Sequence, residues 1–371
     1  MNTTLQLLHA GQSVWYDNIQ RSLLQNGAMA GMIARGEIHG VTSNPSIFMN
    51  AVTKSHDYDA SLLPLANSGL TAEQIFFALA IEDIQAAADL FLPLYHQSNG
   101  GDGYVSLEVS PYLAHDTQAT LAQAQELWGR VARPNLMIKI PATPAGLPTI
   151  TGAIAAGINV NVTLIFSLER YAAVLEAYCL GLEQRLAQGL PLDTIASVAS
   201  FFVSRIDTNV DARLQKLVAN GYSQAASLFG KAAIASARLA YADFKQFIAT
   251  HRWQKLAAAG AQVQRPLWAS TSTKNPAYRD VIYVEELVGA HTVNTVPPQT
   301  LAAFLEHGVV RAGSLEEGLD AARQVLDELD GLGIRMAEVT AQLEEEGVRA
   351  FAEAFRVLLE ALEAIEGKLD T

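Results

Sequence analysis

A lysine stands in the middle of an otherwise apolar run, Asn135-Leu136-Met137-Ile138-Lys139-Ile140-Pro141-Ala142. The period-two pattern predicts a strand with Leu136, Ile138 and Ile140 on one face and Met137, Lys139 and Pro141 on the other. An ammonium taken out of water must be paired or lose its proton. Lys139 is therefore either a structural ion-pair partner or an amine kept for covalent chemistry. Other polar residues share its habit. In residues 104–110, Val105, Leu107 and Val109 alternate with Ser106, Glu108 and Ser110. In residues 159–166, Val160, Val162 and Leu164 alternate with Asn159, Asn161 and Thr163. Ser200 and Phe202 share one parity of residues 196–203, and Arg205 falls just beyond that run.

Strands of a parallel sheet covered on both faces read as nearly continuous apolar runs. Alternation instead suits a barrel, where one parity faces the surrounding helices and the other the barrel axis. With the apolar parity under the helices, Asp17, Asn44, Glu108, Lys139, Asn161, Thr163 and Ser200 point inward. Seven polar side chains converging on one axis need either internal partners or a ligand. The functional reading is a site at the C-terminal mouth, with Lys139 near its centre. No histidine pairs with another His or an acid at metal-ligand spacing, and His39 and His291 begin their runs, at the wrong end for a Ser-His-Asp triad. An inward lysine with carboxylates suggests Schiff-base chemistry on a carbonyl substrate, and no cofactor is expected.

Eight short β-like runs would position these groups: residues 13–18, 39–44 (broken by Pro45), 104–110, 135–142, 159–166, 196–203, 265–270 and 291–296. Helical patterns separate them. Thr71-Ala72-Glu73-Gln74 is a capping box opening an amphipathic helix to about Leu94, and Ser167 is an N-cap for a helix ending at Gly189. A second capping box, Ser314-Leu315-Glu316-Glu317, is expected to open the C-terminal helices. In the last of these, Val339, Leu343, Phe351, Phe355, Leu358, Leu362 and Ile365 keep helical spacing. Alternation of this kind without a Gly/Ser/Pro linker predicts a single α/β domain over residues 1–371. It would be a (β/α)8 TIM barrel with additional helices between strands and from about residue 314. A doubly wound sheet is the alternative, but no G-x-G-x-x-G or P-loop motif follows an early strand.

Half of the 371 residues are apolar, and the mean hydropathy of +0.16 fits a well-buried globular chain. No apolar run reaches membrane-spanning length, and the N-terminus lacks a signal-like pattern. A net charge of −13 argues against nucleic acid or an anionic membrane as partner. From Leu301 onward 16 acids face 6 bases, which reads as a solvated outer helical face without functional weight. Cys179, the only cysteine, reads as a core residue, and the simplest compartment is the cytoplasm. Oligomeric state is not legible.

Six segments together resemble the transaldolase family, in its longer branch with extra helices. They are Thr42-Ser43-Asn44-Pro45-Ser46, Ser106-Leu107-Glu108-Val109-Ser110, Met137-Ile138-Lys139-Ile140-Pro141-Ala142-Thr143, Ile158-Asn159-Val160-Asn161-Val162-Thr163-Leu164-Ile165-Phe166-Ser167, Ser200-Phe201-Phe202-Val203-Ser204-Arg205 and Ala269-Ser270-Thr271-Ser272-Thr273-Lys274-Asn275-Pro276. The resemblance implies a class I aldolase-type barrel with its Schiff-base lysine, Lys139, on the fourth strand. The reaction would move a dihydroxyacetone unit from sedoheptulose 7-phosphate to glyceraldehyde 3-phosphate, giving erythrose 4-phosphate and fructose 6-phosphate, in the non-oxidative pentose phosphate pathway.

On that resemblance Lys139 forms the imine and Glu108 acts through a water as general acid/base, while Asp17 takes the proton of the C4 hydroxyl. Asn44 and Asn161 would hold hydroxyls, and Thr163 would position the water. Ser200, Phe202 and Ser272 would line the pocket, and Arg205 and Lys274 would suit the phosphate. The imine nitrogen must start as a free amine, so Glu108 is expected to reach Lys139 through water and not directly. Lys274 stands where many family members carry arginine, which leaves a point charge in place of a bidentate fork. The rival readings are a fructose 6-phosphate aldolase-like activity, whose members have Gln at the Glu108 position and Tyr at the Phe202 position, and a non-catalytic sugar-phosphate-binding barrel.

Overall fold

A computed structural model describes residues 2–369, with side chains through residue 364. Met1, Asp370, Thr371 and the side chain of Ile365, expected on the apolar stripe of the last helix, lie outside the described residues. Seven strands form one all-parallel sheet: β1 Gln12–Tyr16, β2 Val105–Glu108, β3 Leu136–Pro141, β4 Val160–Ile165, β5 Ser197–Phe202, β6 Arg265–Ala269 and β7 Thr292–Val296. Their order is β1-β7-β6-β5-β4-β3-β2. Every strand residue except Arg265 is buried, as a sheet covered by helices requires.

The strand expected at residues 39–44 is the departure. Val41 is the one residue of this segment that bridges both Tyr16 and Val105, and backbone hydrogen bonds of His39, Gly40, Val41 and Thr42 join the segment to the two edge strands as well. Pro45 explains the shortness. It opens the helix Pro45–Lys54, and Asn44 caps that helix by accepting the amide of Ile47 at 3.0 Å, so the chain turns helical after Thr42 and the pairing stops there. Upstream, Gly40 lies flat against Trp15, where a Cβ would sit 2.8 Å from the indole. Lys139 accordingly lies on β3, the fourth segment only when Val41 is counted.

The capping box at Thr71 is present and opens Ala72–Gln97, and Ser167 caps Leu168–Ala187. The one expected at Ser314 is not. Its hydroxyl instead donates to the carbonyl of Glu285 at 2.9 Å and accepts the amide of Val288 at 3.0 Å. Residues Ser314–Glu316 form a 3-10 turn, and Leu319–Gly331 starts from Gly318 at φ +60°. A buried hydroxyl takes the partners that burial leaves open, and here those belong to another segment.

The apolar side chains form one principal core running from Leu7 to Leu362. Below it, at the N-terminal ends of the strands, lies a polar plug. Asp102 accepts from the hydroxyl of Ser13 and, at 2.7 Å, from Trp15 Nε1. Arg265 donates to Ser13 Oγ at 2.6 Å and to the carbonyl of Thr292 at 2.8 Å. Asp102 therefore satisfies buried donors from β1 while its charge faces Arg265. Asp102→Ala is expected to destabilise the fold by about 3 kcal/mol, since it leaves those donors unmet. The midpoint of urea unfolding at unchanged m-value reads this, and a shift equivalent to under about 0.5 kcal/mol would rule out a stabilising plug.

Candidate active site

Lys139 and Glu108 are register partners on neighbouring parallel strands, so their side chains leave the sheet side by side on the same face. Lys139 Nζ donates to Glu108 Oε2 at 3.1 Å and to the carbonyl of Ser43 at 2.9 Å. The expected water between them is not how the two groups meet. Both side chains are buried and extend from adjacent strands on the same face, and they meet in direct contact. Burial drives the Glu108 carboxyl above its ordinary pKa, and the charge of Lys139 pulls it partly back. The acid is thus poised near an exchangeable proton, in direct contact with the amine.

Around this pair the C-terminal ends of the strands enclose a cavity of about 220 Å³. Asp17, Asn44, Lys139, Thr163, Ser200, Phe202, Arg205, Ser272 and Lys274 all line it, so nine of the eleven site residues read from the sequence converge. Glu108 and Asn161 lie behind the lining. Asn161 is fully buried; its amide donates to Ser106 Oγ at 3.1 Å and its carbonyl oxygen accepts from Ser200 Oγ at 2.7 Å. In this arrangement it holds Ser200, and its own direct contact with a hydroxyl would require that bond to open.

Asp17 follows β1 and accepts from the hydroxyl of Thr42 at 2.7 Å, and Thr42 in turn contacts Thr295 Oγ1 at 2.6 Å. Burial raises the Asp17 carboxyl above the usual carboxylate range, with the Thr42 bond and the charge of Lys139 opposing the shift. Thr163 shares the parity of Asn161, in regular register with Pro141 on β3, and an irregularity follows it. The β4–β5 register slips between Val162 and Ile165, and Leu164 takes φ +59°, a left-handed conformation rare for a branched side chain. Thr163 Oγ1 is buried without a partner among the described residues, so a polar group entering the cavity would satisfy it. Ser270, past β6, is a second left-handed residue at φ +55°. Strain of this kind at two strand ends around one cavity is the pattern of a functional mouth.

Two cations stand at the rim without an ion pair among the described residues. Arg205 has its guanidinium carbon 5.6 Å from the Phe202 ring, and burial lowers its pKa from the ordinary value. Lys274 is exposed, donating to Ser272 Oγ at 2.6 Å. An anion between them would meet a guanidinium fork and an ammonium.

The residue that the sequence reading placed elsewhere is Phe351. It belongs to the apolar stripe of the terminal helix Met336–Leu369, where spacing alone predicts a core residue, yet it lines the cavity with its ring 5.9 Å from Lys139 Nζ. Gly347 makes this approach possible, since a Cβ there would sit 2.9 Å from Leu164 Cδ2. The helix therefore rests on the β4 irregularity and delivers Phe351 one turn later. Its i, i+4 spacing with Gly347 and Phe355 was the available signal, but such spacing marks any buried helix face. Thr42, Ser270, Thr295 and Pro297 also line the cavity and were not singled out from the sequence as site residues.

A larger groove, about 460 Å³, runs on the other flank of the terminal helix. Its cation, Arg170, is already paired with Glu344 at 3.2 Å, so the groove lacks the convergent chemistry of the Lys139 cavity. Among the described residues no group of three or more His, Cys, Asp or Glu gathers as metal ligands, and no helix is long and apolar enough to cross a membrane.

A buried amine in contact with an acid, a second carboxyl across the cavity and unpaired rim cations can form and break an imine on a phosphorylated carbonyl compound. Comparison with known proteins agrees. The Transaldolase/Fructose-6-phosphate aldolase family model matches residues 14–362. The transaldolase of Thermobifida fusca is 50% identical over 355 residues, covering 96% of each chain. That of Parafrankia sp. is 50% identical over 95% of each chain, and that of Mycobacterium tuberculosis is 47% identical over 96% of this chain and 95% of its own. The chain belongs to the transaldolase/fructose-6-phosphate aldolase family.

Proposed function

We propose that this protein is a transaldolase, moving a dihydroxyacetone unit from sedoheptulose 7-phosphate to glyceraldehyde 3-phosphate through a Schiff base on Lys139. The observation that carries this reading is the buried Lys139–Glu108 contact at the floor of a cavity rimmed by Arg205 and Lys274. A TIM-type (β/α)8 barrel, with the Val41 segment in the remaining strand position and residues 1–371 as one domain, accounts for the two bridges made by that residue. A cytoplasmic setting fits sugar-phosphate substrates and a lone buried cysteine.

Lys139 attacks the ketose C2, and Glu108 relays protons as the carbinolamine forms and loses water. Asp17 then takes the proton of the C4 hydroxyl while the C3–C4 bond breaks, releasing erythrose 4-phosphate. The electrons of that bond remain as an enamine on Lys139. Its C3 attacks the aldehyde of glyceraldehyde 3-phosphate, Asp17 returns its proton to the new hydroxyl, and hydrolysis of the imine frees fructose 6-phosphate. Thr163 suits the water of the imine steps, and Asn44, Ser200 and Ser272 suit the hydroxyls of the bound ketose. Glu108 and Phe202 favour transfer over the aldolase-like cleavage of the rival branch.

Borohydride reduction in the presence of fructose 6-phosphate is expected to fix one three-carbon adduct on Lys139, found by peptide mass analysis. Absence of that adduct would refute the Schiff base and leave a non-catalytic sugar-phosphate binder. Lys139→Ala is expected to abolish transfer and to lower stability at neutral pH, because Glu108 is left buried without its cation. Glu108 is an acid with a raised folded-state pKa, so the loss shrinks as the pH falls toward the unfolded value and Glu108 takes a proton. Thermal unfolding of the variant at pH 5 and pH 8 tests the sign, and a deficit that grows on acidification would contradict it.

Phe351 and Phe202 keep water from the enamine while it waits for an acceptor. Phe351→Ala is expected to raise release of free dihydroxyacetone relative to transfer by about tenfold, with Lys139 still trappable by borohydride. A coupled assay for dihydroxyacetone measures the partition, and an unchanged ratio would remove Phe351 from this role.

A further inference from the structure

The rim cations come from two different stretches of chain, and something must set their separation. Arg205 lies in the first turn of the helix Ser204–Ala219, whereas Ser272 and Lys274 lie in the segment after β6. Three residues on one face of that helix, at i, i+3 and i+7, grip the second segment. Ser204 meets it first, its amide donating to the carbonyl of Ser270 at 3.1 Å and its hydroxyl contacting Ser270 Oγ at 3.0 Å. Asp207 accepts from the hydroxyl of Tyr283 at 2.7 Å, and Asp211 accepts from that of Tyr278 at 2.6 Å.

The two carboxylates are also fixed from behind. Asp207 accepts the amide of Ala233 at 2.8 Å, and Asp211 accepts that of Gly230 at 3.0 Å. Gly230, at φ +68°, leaves room for the Tyr278 ring, which would lie 2.8 Å from a Cβ. Asp207 is nearly inaccessible, and neither acid has an ion-pair partner among the described residues, so each depends on its tyrosine and its amide. These acids and tyrosines line a second cavity of about 250 Å³. Lys274 lines both that cavity and the one holding Lys139. The lysine thus sits at the junction between clamp and site.

We propose that Tyr278 with Asp211, and Tyr283 with Asp207, are positioning pairs for phosphate recognition. By fastening residues 270–283 to the helix that carries Arg205, they fix the Lys274–Arg205 spacing to suit a phosphate monoester. This rests on the reading of those two cations as phosphate ligands. It also assigns a task to Lys274, whose single ammonium cannot orient a phosphate by itself and takes its direction from the backbone that bears it.

Tyr278→Phe removes one hydroxyl and leaves the ring. With sedoheptulose 7-phosphate saturating as donor, the variant is expected to raise KM for glyceraldehyde 3-phosphate about fivefold, the effect of losing one net hydrogen bond, while KM for unphosphorylated glyceraldehyde moves less than about twofold. Tyr283→Phe is expected to shift the same ratio in the same direction. Lys274→Ala serves as the control. If it leaves the ratio of the two KM values unmoved, the phosphate reading of the rim fails. If it shifts the ratio and neither tyrosine variant does, the clamp alone is refuted. An equal loss with both acceptors would likewise overturn the proposal, since a general loosening of the fold does not distinguish a phosphate from a hydroxyl.

Discussion

The parallel register of β2 and β3 sets an acid and an amine at the same height on the same face, and the chemistry of the cavity depends on that alignment. A one-residue slip would turn either side chain to the opposite face of the sheet, leaving one charge buried in apolar packing and the other alone at the mouth. In contact, the two groups lessen each other's desolvation cost, and the carbonyl of Ser43 takes a further proton of the ammonium. Proton exchange between them requires no intermediary. The same closeness makes the pair a stabilising element, so reactivity and folding share one contact.

Around the pair, each segment ending at the mouth contributes a group, but the ends are not equivalent. β4 brings Thr163 to the cavity in regular register with β3, and the slip against β5 and the left-handed Leu164 beside it set Leu164 against Gly347 of the terminal helix. A left-handed leucine costs roughly 1–2 kcal/mol, and it persists because packing on both sides over-determines it. Gly347 is the matching concession on the helix, giving up helix propensity so that two backbones can approach. Phe355, with its ring centroid 5.2 Å from that of Phe76, and the fully buried Leu358 hold the same face of the helix down further along.

Much of this was legible in the sequence because a parallel sheet with helices on one face and a site on the other writes its inward parity directly into the chain. Asp17, Asn44, Lys139, Thr163 and Ser200 could be placed in one cavity from shared parity, and Arg205 and Lys274 from their position past a strand end. The failures have physical causes. Residues 39–42 hydrogen-bond to both edge strands, but Pro45 and the Asn44 cap end the pairing too soon for a full strand. Ser314 has the spacing of a capping box, yet its hydroxyl serves Glu285 and Val288, which no local pattern reveals. The water expected between Glu108 and Lys139 came from a chemical preference for an unpaired amine, whereas strand register decided the distance. Phe351 was read as core because a helix stripe does not say which of its members meets a ligand.

Phe351 and Lys139 are separated by more than two hundred residues of chain, yet they face one another across the same cavity. The terminal helix is joined to the rest through one packed face, so its detachment is a smaller opening than loss of the sheet and occurs at lower free energy. An opening of that helix alone gives a form with the lysine in place and its apolar wall withdrawn. Slow amide exchange along β3 beside faster exchange along residues 336–362 is the signature of that form. The population of that state sets how often a bound enamine meets solvent, so fidelity of transfer in this protein is in part a matter of local stability.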